Sequence, residues 1–196
     1  MHLQRLPADE AAVRRFVEDL WLPYHRELEA VVDAHGLADD ADLVAEEVPF
    51  RVDRLASADY RLWVAVDGAD ADGSPADGDA ASGDGDAASV DVDIAAGDGT
   101  LAGFASAEVA ESPSVFDHPD RVHLGDVYVR GADRGTGLAV DLVDRVAAFA
   151  RERDCREIAL DVDVDNDRAL AFYEKLGFDA LRRTLSAPVD DLGGGD

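Results

Sequence analysis

The chain has 196 residues, enough for one domain with a proper core, and 47% of them are hydrophobic, which excludes a chain disordered throughout. Its formal net charge of −26 comes from 44 acids against 18 bases, with Lys175 the only lysine. With no basic patch to displace counterions the composition speaks against nucleic-acid binding, and the single cysteine, Cys155, excludes a disulfide framework and a multi-cysteine zinc site.

Residues 3–7, LQRLP, read as a short strand. From 8 to 36 the apolar residues Val13, Phe16, Val17, Leu20, Leu28, Val31 and Val32 recur at helical spacing. Pro23 is expected to break or kink that helix and Gly36 to stop it. A further helix is expected over 40–56, interrupted near Pro49. YRLWVAVDG, 60–68, is a strand ending in Asp-Gly.

Residues 69–88 are Asp, Gly, Ala and Ser with little else, and read as a disordered insertion that cannot offset its ordering entropy. SVDVDI, 89–94, is a candidate strand extension. The repeated Asp-x-Asp lacks the closing Glu of an EF-hand loop, so a solvated insert is favoured and cation binding there stays open. Strands follow at 100–112 and 122–130, the first pairing with 60–68 as a hairpin that carries the insertion. Then come a helix over 136–154 with Leu138, Leu142, Val143, Val146 and Phe149 on one face, and a strand over 157–166. A short helix over 166–177 is capped by Asn166 or Asp167 and closed by Gly177. A last strand spans 178–188 and a tail spans 189–196. The order gives one domain over 1–188 of mixed α/β class, with one right-handed parallel crossover in its second half.

RGADRGTGLAV, 130–140, opens the helix directly after a strand. Backbone N–H groups at a helix N-terminus bind anions, and glycines let the backbone come close. Without a lysine the loop is no Walker A motif, and Val140 stands where a Rossmann fingerprint has its third glycine. A glycine-bearing turn with no ligand remains open on this loop alone.

The loop does not stand alone. VYVRGADRGTGLAVDLV resembles motif A of the GCN5-related N-acetyltransferases, Arg/Gln-x-x-Gly-x-Gly/Ala, met by Arg134, Gly137 and Ala139. About thirty residues on, NDRALAFYEKLGF, 166–178, resembles their motif B. The resemblance covers about residues 100–185, and the insertion at 69–88 departs from the family's compact hairpin. It implies a mostly antiparallel sheet of six to seven strands with one parallel, splayed pair, flanked by about four helices.

It also implies acetyl-coenzyme A as cosubstrate, no metal, and direct attack of a primary amine on the thioester. Backbone N–H groups of Gly135, Thr136, Gly137, Leu138 and Ala139, beside Arg134, would take the pyrophosphate. The backbone of Val127, Tyr128 and Val129 would pair with the pantetheine arm, and Asn166 would bond its end. Tyr173 is the implied general acid, protonated at neutral pH because a phenol titrates near 10. His123, with Glu108 and Asp126 as rivals, is the candidate base; strand alternation puts His123 and Asp126 on opposite faces unless a bulge intervenes. A silent acyl-CoA-binding domain of the same fold, or a degenerate dinucleotide-binding protein, stays open.

The expected partners are a small-molecule or peptide amine, with no nucleic acid and no membrane, and a homodimer left open. Acids spread over every polar face, with lysine almost absent, fit a salt-rich cytoplasm where self-repulsion is screened better than they fit a cation-binding protein. No stretch approaches the ~18 apolar residues of a membrane span.

Overall fold

The computed structural model describes residues 1–32, 34–68, 92–115 and 117–189. All of the expected insertion at 69–88, and all of the tail but residue 189, lie outside them. Contacts gather into two compact units, Met1–Asp161 and Val162–Asp196.

The first unit is built on five strands: β1 His2–Arg5, β2 Tyr60–Asp67, β3 Thr100–Ala110, β4 Arg121–Val129 and β5 Glu157–Leu160. They lie side by side in chain order, antiparallel up to β4 and parallel between β4 and β5. Tyr60, Leu62, Trp63, Val64, Ala65 and Val66 of β2 are all buried, so both faces of the sheet are covered. β3 runs through Ala102, Gly103, Ala105, Ser106 and Ala107, small residues that let helices pack closely on it. One face carries α1 Glu10–Phe16, α2 Leu22–Glu29 and α3 Leu43–Leu55; the other carries α4 Leu138–Glu152. Phe16 meets Phe104 edge to face, centroids 4.9 Å apart, at the centre of the first layer. Phe149 of α4 packs on Trp63 at 5.8 Å in the second.

Two prolines behave differently from expectation. Pro23 neither breaks nor ends its helix: α1 passes into a π-helical turn, Val17–Trp21, and on into α2. Pro23 has no N–H for the carbonyl of Asp19, four residues back. Arg130 supplies a donor instead, its Nη2 bonding that oxygen at 2.8 Å. The helix then stops at Glu29, seven residues short of Gly36. α3 runs unbroken through Pro49, because Pro49 and Ala45 lie on its exposed face, where water reaches the carbonyl that the proline leaves without a partner.

SVDVDI is no strand extension in its described part. Val92–Ile94 is held by the side-chain amide of Gln4, which donates to the Val92 carbonyl and accepts from its N–H, both at 2.8 Å. One amide thus replaces a ladder rung, and Ile94 is buried behind it.

The second unit contains α5, Asp167–Lys175. Asn166 is the N-cap, its Oδ1 accepting from the Ala169 N–H at 3.1 Å. Leu176 is the C-cap, so Gly177 stands one place beyond it, with φ +89°. Residues 178–188 form no strand, and the sheet has five strands among the described residues rather than six to seven. Leu181 and Leu185 are exposed there: an alternating pattern makes a strand only when an edge accepts its ladder. Counting α1 to α2 as one run, four helices are seen, as expected.

Candidate active site

β4 sets the geometry. Its pairing with β3 passes from Ala105↔Val127 to Ala107↔Leu124, so Gly125 and Asp126 together oppose Ser106. The buried Ser106 hydroxyl holds the bulge by accepting from the Asp126 N–H at 3.0 Å. Gly125 is required there, since a Cβ would stand 2.6 Å from that hydroxyl.

Pairing with β5 stops just before the bulge, at Leu124↔Leu160. From Gly125 onward one edge of β4 is open in the ladder. The Arg130 N–H bonds the Ala102 carbonyl at 2.9 Å, which makes Arg130 and Tyr128 the hydrogen-bonded positions toward β3. Val127 and Val129 therefore turn their backbone groups to the open edge.

The chain leaves β4 through a 3₁₀ turn, Gly131–Asp133, and enters α4 at Gly137. Gly135 and Gly137 have φ of +81° and +97°, and an added Cβ at either would meet no atom within 4 Å. Gly137 offers no side chain to cap α4; the Leu138 N–H meets the Thr136 hydroxyl at 3.5 Å, and the positive end of the helix dipole points at this turn. Thr136 turns inward, its hydroxyl donating to the Asp133 carbonyl at 2.7 Å.

Both arginines of the loop are engaged. Arg130 is tied to Asp19 as described, and Arg134 donates through Nε to the Val129 carbonyl at 2.9 Å and through Nη2 to Glu27 of α2. Glu27 also accepts from the Tyr128 hydroxyl at 2.7 Å. Burial, then that bond to Glu27, pushes the Tyr128 phenol up to about 12. Glu27 thus joins α2, β4 and the loop. Sequence reading misses it because its partners lie 101 and 107 residues away.

The three candidate bases are placed differently. His123 pairs in register with Glu108, and its Nε2 lies 3.8 Å from Asp161 Oδ2. Glu108 is held by Arg54 at 2.6 Å. Asp126 sits on the bulge and acts electrostatically on His25 of α2.

His25 is a residue the sequence did not single out. It packs on Trp21 and Tyr24, and its Nδ1 lies 2.7 Å from His35 Nε2. Burial lowers its pKa to about 4, with His35 and Arg51 adding to the effect against Asp126 and Glu29. The folded value lies below the ordinary 6.5, so the unfolded chain binds the proton first as pH falls. The neutral ring's contribution is complete above 6.5 and is lost toward 4. Discounted for partial exposure, about 1–2 kcal/mol is expected. Between about pH 7 and 4.5 the wild-type Tm should fall about 3 °C further than that of His25→Asn in the same buffers. Parallel curves would show that His25 carries no such linkage.

Cys155 is buried, and burial raises its thiol above the ordinary value. Among the described residues no cluster of three or more His, Cys, Asp or Glu side chains could hold a metal, and no helix is long and apolar enough to cross a membrane. In the second unit Asn166 caps α5, and Tyr173 packs between Phe172 and Phe178, at 5.2 and 5.5 Å.

Comparison with known proteins agrees with this geometry. The model of the acetyltransferase (GNAT) family matches residues 52–178. The mycothiol acetyltransferase of Thermobispora bispora is 40% identical over 83 residues, 41% of this chain and only 27% of that protein's own length. Among solved structures, a mutant of the BH1408 protein from Bacillus halodurans superposes with a TM-score of 0.67 at 16% identity, over 96% of this chain and 99% of the other. The aminoglycoside 6'-N-acetyltransferase AAC(6')-Ig of Acinetobacter haemolyticus gives 0.61 at 17% identity, over 96% and 97%. At such identities the two structures establish the fold, while the family model covers well over half of the chain. A strand whose parallel pairing ends at a bulge, followed by a glycine turn into a helix, in a chain matched from 52 to 178, places this protein in the acetyltransferase (GNAT) family.

Proposed function

We propose that the protein transfers the acetyl group of acetyl-coenzyme A to a primary amine by direct attack. The observation that carries this reading is the open edge of β4 from Gly125 to Val129, running into the start of α4. An extended pantetheine arm adds to such an edge like a strand, through the backbone groups of Val127 and Val129 beside Tyr128. The pyrophosphate lies on the backbone N–H groups of Gly135 to Ala139. Arg134 shapes the loop from behind, since its guanidinium is engaged with Glu27 and Val129. The Val127 N–H is the donor for the thioester carbonyl, and it strengthens as negative charge develops on that oxygen.

The amine must arrive neutral. His123 is the base we favour, because Glu108 is committed to Arg54. Tyr173 donates its phenolic proton to the departing thiolate, and Asn166 bonds the pantetheine end while it caps α5. The acceptor is a small-molecule or peptide amine. The dense acidic surface is that of a protein of a salt-rich cytoplasm.

Calorimetric titration in molar salt should show saturable binding of acetyl-coenzyme A and none of NAD; the reverse would overturn the reading. A panel of polyamines, amino acids, aminoglycosides and peptide N-termini, followed by thiol release, should then name the acceptor. Binding without thiol release on any of them would mark a silent acyl-CoA-binding domain. With the acceptor in hand, Tyr173→Phe should lower kcat by about 100-fold and leave acetyl-coenzyme A affinity within about twofold. Unchanged turnover would remove Tyr173 from the mechanism.

A further inference from the structure

His25 and His35 make an arrangement that the roles above do not use. Their rings lie in nearly parallel planes, 8° apart, joined by the 2.7 Å Nδ1–Nε2 contact. A single hydrogen bond between two imidazoles holds one proton: one ring donates and the other accepts. The far nitrogen of His25, Nε2, is buried and has no hydrogen-bond partner among the described residues. A buried polar atom without a partner costs about 1–3 kcal/mol, so its persistence calls for an explanation. The loop that carries His35 is fastened back on α2, where Glu29 accepts from the Leu37 N–H at 2.8 Å. The charged groups acting on His25 are Asp126 of the β4 bulge, Arg51 of α3, Glu29 of α2 and, when protonated, His35.

We propose that His25 and His35 form a two-imidazole relay that takes the second proton of the acceptor nitrogen, the one it sheds near Asp126 after attack, and delivers it to the loop after α2, while His123 takes the first. The proposal rests on the acetyl-transfer reading. The Asp126 carboxylate attracts the nitrogen that regains its positive charge on attack, and one of its N–H bonds breaks as a proton adds to His25 Nε2, directly or through one water. The His25 Nδ1–H bond then breaks as the same hydrogen bond passes its proton to His35 Nε2. His35 becomes the imidazolium and releases its Nδ1 proton to solvent. One positive charge leaves the amine, one proton reaches water, and both rings end neutral with their tautomers exchanged. A water-borne proton transfer after product release resets them. Burial disfavours a charge on His25, so His25 serves as a conduit and His35, on the loop after α2, as the exit.

The test uses the full chain. Imidazole ¹⁵N NMR of the free protein should show His25 as the Nδ1–H tautomer and His35 as the ring that accepts from it through Nε2. His35→Gln keeps an oxygen to accept the His25 Nδ1 proton but cannot be protonated. It should lower kcat/KM for the acceptor about 10- to 100-fold and change the acidic limb of the pH profile, where a base must be neutral to act. KM for acetyl-coenzyme A and the melting temperature should stay at wild-type values. His25→Gln should match it in kcat/KM. Full activity and an unaltered pH profile in His35→Gln would overturn the relay, as would a His25 that holds its proton on Nε2. A wild type that turns over no amine would count against acetyl transfer itself, and with it the relay's role, whatever the tautomers show.

Discussion

Replacing Gly137 by valine should raise the Kd for acetyl-coenzyme A at least about 100-fold while the protein stays folded. With φ at +97° the position lies where a β-branched residue is an outlier, costing about 1–3 kcal/mol. No protein atom lies within 4 Å of the added Cβ, so the substitution meets no neighbour inside the fold. Its effect falls on the ligand side. The strain turns the N–H groups that open α4, and the side chain fills the space in front of them. A change of about 100-fold corresponds to about 2.7 kcal/mol, the size expected when several aligned N–H groups lose a diphosphate together. Gly137→Ala should lie between the two. Calorimetry for affinity and circular dichroism for the fold decide it: a folded Gly137→Val that binds within about threefold of wild type would mean that the loop holds no ligand.

The largest loss of stability is expected from Arg51→Ala, about 3–5 kcal/mol and roughly 10 °C in Tm. Arg51 is 4% exposed. Its Nε donates to Glu47 Oε1 at 2.8 Å, its Nη2 reaches the same oxygen, and its Nη1 donates to the Tyr60 hydroxyl at 2.6 Å. The guanidinium also lies 6.0 Å from the Phe16 ring centre. Removing it strands the enclosed Glu47 carboxylate and takes a donor from Tyr60. The penalty is that of a partnerless buried charge rather than the net worth of the pair. The triple variant Arg51→Met, Glu47→Leu, Tyr60→Phe should therefore recover most of the loss, by denaturant titration. A cost under about 1 kcal/mol for Arg51→Ala alone would sink this account.

What the sequence made legible is what depends on neighbours in the chain. β2, α4 and α5 follow from period and caps; Asn166 was one of two N-cap candidates, and it takes the cap because its side chain reaches the Ala169 N–H. The glycine turn into α4 could be found for the same reason. The bulge was foreseen only as a condition on His123 and Asp126; its cause, the Ser106 hydroxyl, lies 20 residues away on another strand. The same holds for Glu27, for the Gln4 amide that seats Val92, and for the unbroken helix at Pro49, which depends on which face water reaches. The pattern of 178–188 states a preference for extended backbone, and whether an edge receives it is decided elsewhere in the fold.

The repair of Pro23 reaches further than the helix it mends. Arg130 bonds Asp19 across 111 residues, and Arg134 bonds Glu27 across 107. The loop at 130–139 therefore depends for its shape on contacts that span more than half of the chain. Closing so long a loop costs entropy that grows only with the logarithm of its length. About twenty residues more or fewer between the partners change it by a few tenths of a kcal/mol. Variation in the stretch 69–88 is thus nearly free for the ligand loop, whereas a single change at Pro23 or Glu27 is not.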